Sequence, residues 1–373
     1  MDALRREPDD ASARRFGAAS RALFLVSAGL SLLAPLALWL SGLSSLFWSL
    51  CAGWLPRWPA TAVFAALVLA LLAIVLLPTG VVGGFALPRA FGLSRQTLGE
   101  WLADWLKGSA LATVLGTVGV LAFYACLALL GPTWWLGFAA VATAATLALT
   151  FVVPYLVLPL FFRVQAVEDE ALAARIRALF AASGTALAQV VMLDFSRRGR
   201  RANAAVVGLG RSRRVVLTDT LLAAFSADEV DGVVAHELGH HALGHIPRLV
   251  AIQIAVTIIG AGLGGLAGPG LLARVAGSTL ADRAALPLLV LAGEAYALAL
   301  LPVTSAWSRA LEREADRFAC TLTARPRQFA SALHRLGDVN LVERTPPRWA
   351  TLLCASHPPL GERIAAALRA AGA

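Results

Sequence analysis

His236-Glu237-Leu238-Gly239-His240 is an H-E-x-x-H stretch. On a helix, residues four apart share a face about one turn apart, so both imidazoles can reach one metal ion. Zn²⁺ accepts histidine nitrogens at about 2.0–2.1 Å. Glu237 cannot join that pair of ligands, but it can hold a zinc-bound water and take its proton. The stretch therefore encodes a reaction, metal-assisted attack on a carbonyl, and a Zn²⁺ cofactor, one per chain.

The flanking residues put the stretch on a helix. Ser226-Ala227-Asp228-Glu229 reads as a capping box. Val230, Val233, Val234 and Leu238 then recur at helical spacing. The pattern predicts a helix from about 227 to His245, before Pro247. His241 and His245 are also four apart, but they point about 100° away from the first pair and have no glutamate between them. They read as interfacial polar residues at the start of a membrane segment.

Two histidines leave a catalytic zinc one protein ligand short. The segment Ser308-Arg309-Ala310-Leu311-Glu312-Arg313-Glu314-Ala315-Asp316 offers acids. Glu312 and Asp316 are i and i+4 and share a face, whereas Glu314 lies on the opposite side. Glu312 is assigned as the third ligand, leaving a fourth position for water. Asp316 would accept a hydrogen bond from a ligand histidine and fix its tautomer.

Several stretches resemble the family of integral-membrane zinc metallopeptidases that includes the type I CAAX prenyl protease. The resemblance covers roughly residues 154–365. It rests on the H-E-x-x-H stretch and on Leu158-Pro159-Leu160-Phe161-Phe162. Ser196-Arg197-Arg198 with Asn203-Ala204, Val215 to Leu222, and the S-R-x-x-E-x-x-x-D segment also carry it. So does Ser356-His357-Pro358-Pro359-Leu360-Gly361-Glu362-Arg363-Ile364. The resemblance implies that His357 helps stabilise the oxyanion of a tetrahedral intermediate, with Arg363 nearby. It also implies that Asn203 holds the substrate backbone beside an edge strand. Both roles suit the physics of donors aimed at developing charge and of peptides added to a sheet edge. Read without the resemblance, His357 is also a loop residue before two prolines, and Asn203 a turn residue.

Composition places the chain in a lipid bilayer. Hydrophobic residues make up 58% and charged residues 15% of its 373 positions, and mean hydropathy is +0.72, far from soluble norms. Six spans of the required ~20 residues are expected, at about 22–48, 60–85, 108–130, 135–162, 249–268 and 284–306. Pro154 and Pro159 should kink the fourth. Gly260, Gly264 and Gly268 form a small-residue stripe on the fifth. Glu294, the only acid of the sixth, is expected to face the bundle interior or water rather than lipid.

The fold expected is a mainly α polytopic membrane protein with six transmembrane helices and a small α+β, zincin-type metallopeptidase part assembled from two segments. Residues 1–20 read as a disordered tail and 21–163 as four transmembrane helices. Residues 164–248 form the first half of the peptidase part, 249–306 a membrane hairpin and 307–373 the second half. Within the first half, 168–183 reads as helix and 189–195, 204–209 and 214–218 as strands.

Arginines sort the loops. Arg5, Arg6, Arg14, Arg15 and Arg21, then Arg89, Arg95 and Lys107, then the arginine-rich 163–248 all fall on one side. The positive-inside rule puts that side, with both termini and the zinc site, in the cytoplasm, across a bacterial-type inner or plasma membrane. No nucleic-acid motif accompanies the arginines, so nucleic acid is excluded as a partner. The partners expected are the bilayer and a peptide or protein substrate, including one held at the membrane. The function expected is a membrane zinc endopeptidase. Two alternatives are a heat-shock-type membrane quality-control zinc protease and a non-catalytic zinc-binding polytopic membrane protein.

Overall fold

An apolar chain in lipid must satisfy its backbone N–H and C=O groups within each segment, and helices do this. The structure, a computed structural model, describes residues 10–152, 155 and 158–372. Helix α1 spans Asp10–Leu40 and α2 spans Leu43–Trp54. The expected first span, 22–48, is thus cut at Ser41–Gly42. Most of the tail expected to be disordered is also helical. Its alanines and arginines are good helix formers, and Arg21 anchors it by an ion pair to Glu343 at 2.6 Å. Residues 1–9 of that tail lie outside the described residues.

Helix α3, Arg57–Gly80, continues through a π-helical stretch, Val81–Ala86, to Ala90. Helix α4, Leu98–Leu130, opens on a capping box made by Thr97 and Glu100, and α5 spans Trp134–Val152. Among the described residues, five helical runs are long and apolar enough to cross a bilayer. The third of them, Leu98–Thr150, is 53 residues long, and the turn Gly131–Thr133 divides it. The third and fourth expected spans both fall on that run. Pro154, expected to kink the fourth span, lies outside the described residues.

The mixed part follows. Strand β1 is Val164–Ala166, helix α6 Glu170–Ala182, and strands β2, β3 and β4 are Gln189–Leu193, Ala204–Val207 and Arg214–Thr218. Their order is β1-β2-β4-β3, with β2 and β4 parallel and the outer pairs antiparallel. Sequence reading found three of these strands and missed the three-residue β1. Alternation along β4 divides its side chains. Val215 and Leu217 pack with Ile176, Phe180, Leu221, Val234 and Leu238, whereas Val216 packs with Val191, Leu193 and Phe162 on the other face. Full burial of each such aliphatic or aromatic side chain contributes about 1.5–3 kcal/mol.

Helix α7, Ala227–Ala242, carries the H-E-x-x-H stretch and begins on the expected capping box of Ser226 and Glu229. It ends three residues sooner than expected. Gly244 takes φ 69°, and a new helix, α8, runs His245–Leu266. Only a residue without a Cβ enters that left-handed region freely. Helix α9, Leu286–Thr323, is a single 38-residue rod. At 1.5 Å per residue it is about 57 Å long, enough to cross the hydrocarbon and continue beyond it. The sixth span and the Glu312 segment are therefore one element. Glu294 is exposed and stands five turns before Glu312 in register. Helices α10, Pro326–Asn340, and α11, Leu360–Ala370, complete the chain.

Of the expected small-residue stripe, Gly260 makes a close contact, and the tightest one falls on Gly265 instead of Gly264. A Cβ on Gly264 would have 3.7 Å to Trp134, but one on Gly265 would lie 2.4 Å from Trp135 Cδ1 and 2.8 Å from its Cβ, and one on Gly260 2.8 Å from Tyr296. Gly265→Ala should therefore lower the Tm of the detergent-solubilised protein, because overpacking costs about 1–3 kcal/mol. Gly270→Ala, where nothing lies within 4 Å, should leave it unchanged or higher. An unchanged Tm for Gly265→Ala would show that this contact does not hold α5 against α8.

Candidate active site

Helices α7 and α9 cross at the H-E-x-x-H stretch. A Cβ on Gly239 would lie 3.3 Å from the Ala315 backbone, so the glycine between the two histidines lets α9 come close. The crossing brings together three side chains remote in sequence. His236 Nε2 and His240 Nε2 are 3.4 Å apart. Glu312 Oε2 lies 3.4 Å from the first and Oε1 3.3 Å from the second. Zinc with bonds of about 2.05 Å in a tetrahedron would hold its ligands about 3.3 Å apart.

A further observation bears on whether these residues fit a metal. Glu312 is buried, and its Oε2 makes no hydrogen bond. A buried carboxylate oxygen without a partner is costly, and a cation between it and the imidazoles would supply the missing contact. The donor set fits Zn²⁺.

Charged neighbours hold the cluster in place. His236 Nδ1 lies 2.9 Å from Asp316 Oδ1. Arg363 donates from Nε and Nη2 to both Asp316 oxygens at 2.8 and 2.7 Å, a two-pronged pairing that fixes the carboxylate. Burial pulls the His236 pKa down, but the Asp316 and Glu312 carboxylates outweigh it and hold it up at about 9. Burial raises the Glu237 carboxyl above its ordinary value, partly countered by the two neighbouring histidines.

The chain matches two family descriptions. "CAAX prenyl protease N-terminal, five membrane helices" covers residues 8–163 and "Peptidase family M48" covers residues 166–371. The chain belongs to peptidase family M48. This M48 protein is therefore a metalloprotease, a hydrolase, integral to the membrane. It is 26% identical to the uncharacterized metalloprotease YhfN of Bacillus subtilis over 75% of this chain and 67% of that one. It is 29% identical to the CAAX prenyl protease 1 homolog of Oryza sativa over 78% of this chain and 69% of that one. Its fold is similar to that of Ste24p from S. mikatae, with a TM-score of 0.85 and 23% identity over 98% of this chain and 91% of that one.

The remaining site candidates of this M48 peptidase fall into two groups. His357 reaches the cluster, with its Nε2 3.5 Å from Glu312 Oε1, and its Nδ1 pairs with Ser356 Oγ at 2.9 Å. Burial lowers its pKa against the pull of Glu312. Asn203 stands outside the cluster, just before edge strand β3. Its backbone pairs with Thr218, and its Oδ1 accepts from Ala204 N at 3.0 Å.

Two residues escaped the sequence reading. Buried Arg309 donates to Ala355 O at 2.7 Å, which ties the loop before His357 to α9. Its place three residues before Glu312 was the available signal. His241, expected at the membrane interface, instead donates from Nε2 to Val206 O at 2.9 Å and binds β3 to α7.

Removing Arg363 would strip the buried Asp316 of its cationic partner and leave it only the His236 ring. Arg363→Ala should therefore cost about 3–5 kcal/mol, as is usual for breaking a buried pair. The double variant Asp316→Ala/Arg363→Ala should cost less than the two single variants combined. Additive losses in Tm or denaturant midpoint would contradict the pairing.

Proposed function

We propose that this membrane metalloprotease hydrolyses peptide bonds with one Zn²⁺ held by His236, His240 and Glu312, with Glu237 as general base. The convergence of two Nε2 atoms on a buried carboxylate whose Oε2 makes no hydrogen bond carries this reading. Bound zinc would supply an activated water and polarise the scissile carbonyl. Glu237 stands between the two histidines in sequence, and burial raises its pKa above that of an exposed carboxylate, which makes it the stronger base.

The other residues position the substrate and the charge that develops on it. His357, at the rim of the cluster, would donate to the oxygen that becomes negative. Asp316, held by Arg363, would accept from His236 Nδ1 and keep Nε2 turned toward the metal. Among the described residues, strand β3 has a strand partner on one side only. Its free edge suits an extended peptide with Asn203 at its start. His241 holds that strand against the zinc helix. The arginine distribution supports a cytoplasmic site in a bacterial-type membrane. The match over the membrane half as well as the peptidase half supports a substrate of the kind processed by CAAX prenyl proteases.

His236→Ala, His240→Ala and Glu312→Ala should each lose bound zinc, measured by elemental analysis of protein purified without added metal. Full zinc occupancy in Glu312→Ala would overturn the ligand set. Glu237→Gln should keep its zinc and its Tm yet cleave a reporter peptide roughly 10²–10⁴-fold more slowly, the usual contribution of general-base catalysis. Near-wild-type turnover in that variant would exclude Glu237 as the base.

A further inference from the structure

His245 has no part in the reaction proposed above, yet it is the most deeply enclosed histidine of the protein, with no exposed surface. A buried imidazole needs partners for both ring nitrogens. Its Nδ1 lies 3.1 Å from His240 Nδ1, and its Nε2 3.1 Å from Glu314 Oε2. Glu314 is held in turn by Arg248 at 3.1 Å.

The break between α7 and α8 produces this contact. In an unbroken helix, a residue five positions on would lie about 140° round from His240 and face elsewhere. The left-handed Gly244 turns the chain so that His245 comes back under the His240 ring, with centroids 5.1 Å apart and planes at 72°.

We propose that His245 is a positioning residue for the metal, acting through His240. The inference rests on the reading of His236, His240 and Glu312 as ligands. Both ligand histidines turn Nε2 toward Glu312, so a metal there takes the Nε2 lone pairs and leaves the protons on Nδ1. His236 then donates from Nδ1 to Asp316. His240 donates from Nδ1 to His245 Nδ1, which accepts only if the His245 proton is on Nε2, and that proton is donated to Glu314. Each hydrogen bond fixes the direction of the next.

The chain Arg248–Glu314–His245–His240 thus does for one ligand what Arg363–Asp316 does for the other. It locks the ring orientation and tautomer and raises the basicity of Nε2. It also gives Glu314 a task that the zinc ligands leave open. The acid on the opposite face of α9 from Glu312 reaches the same metal through two imidazoles.

The test uses the full-length protein in detergent, with zinc affinity read by competition against a chromogenic chelator and Tm read on the metal-free form. His245→Leu should lower zinc affinity by about 10–100-fold, the usual cost of losing a ligand's outer hydrogen-bond partner. His245→Asn, whose Oδ1 can take the place of Nδ1 as acceptor, should recover most of that loss. Glu314→Ala, at the exposed end of the chain, should lower affinity with the metal-free Tm unchanged. The cobalt-loaded His245→Leu protein should show altered visible absorption.

Wild-type affinity in His245→Leu would overturn the proposal. Equal losses in His245→Leu and His245→Asn that track a fall in metal-free Tm would also overturn it and leave His245 as packing only. Wild-type zinc affinity in Glu312→Ala would overturn the ligand assignment itself, and this proposal with it.

Discussion

The buried carboxylate of Glu312, facing two imidazoles across the crossing of α7 and α9, is the constraint on which the rest depends. An ionised carboxylate in a protein interior costs several kcal/mol unless charges and hydrogen bonds surround it. The surroundings here come from every late element. α7 supplies His236 and His240. α9 supplies Glu312 itself and, one turn on, Asp316. α11 supplies Arg363, and the loop before it supplies His357. Gly239 sets how closely the two main helices approach, because a Cβ there would meet the Ala315 backbone.

Topology explains why the site is tied to the membrane. The two halves of the peptidase part are separated in sequence by the apolar helix α8 and the first part of α9. Glu312 reaches His236 only because the chain leaves the site along α8 and returns along one continuous rod. A rod of 38 residues transmits changes in tilt or depth at its apolar end to the ligand at its polar end. Pro302, inside that rod, is the position at which the ladder lacks a donor and bending is easiest. Two residues bind neighbouring elements to these helices. Arg309 fixes the His357 loop to α9, and His241 fixes β3 to α7.

Much of this was legible in the sequence because the relevant signals are local. H-E-x-x-H, the Ser226–Glu229 capping box and the i, i+4 pair Glu312 and Asp316 each depend on helical periodicity alone. They point to the helices and faces that the structure shows. What was not legible depends on contacts across the fold. His245 lies on the wrong face of an idealised helix, and only the left-handed Gly244 brings it to His240. The glycine before His245 was a visible signal for a helix break, but the helix was expected to run on to His245, up to Pro247. Strand β1 has three residues and no alternation to read. The helix over residues 10–20 gains from an ion pair with Glu343, more than 300 positions away, which no local pattern contains.

Charge accounting links the two supporting chains to the metal reading. A metal on both Nε2 atoms would displace the proton that His236 otherwise holds, and with both ligand histidines then neutral, ionised Glu237, Glu312 and Asp316 place three negative charges at the crossing. Arg363 returns one positive charge, so two negative charges remain in a largely buried volume. Glu314 adds none to this count, because Arg248 neutralises it at the exposed end of its own chain. A divalent cation held by His236, His240 and Glu312 would close the balance. The ion would then be part of what makes the crossing of α7 and α9 stable, as well as the source of the chemistry. Stability and catalysis therefore depend on the same four side chains at that crossing, His236, Glu237, His240 and Glu312. The residues beyond them, Asp316 with Arg363 on one side and His245 with Glu314 on the other, hold the two imidazoles in the one orientation that serves both.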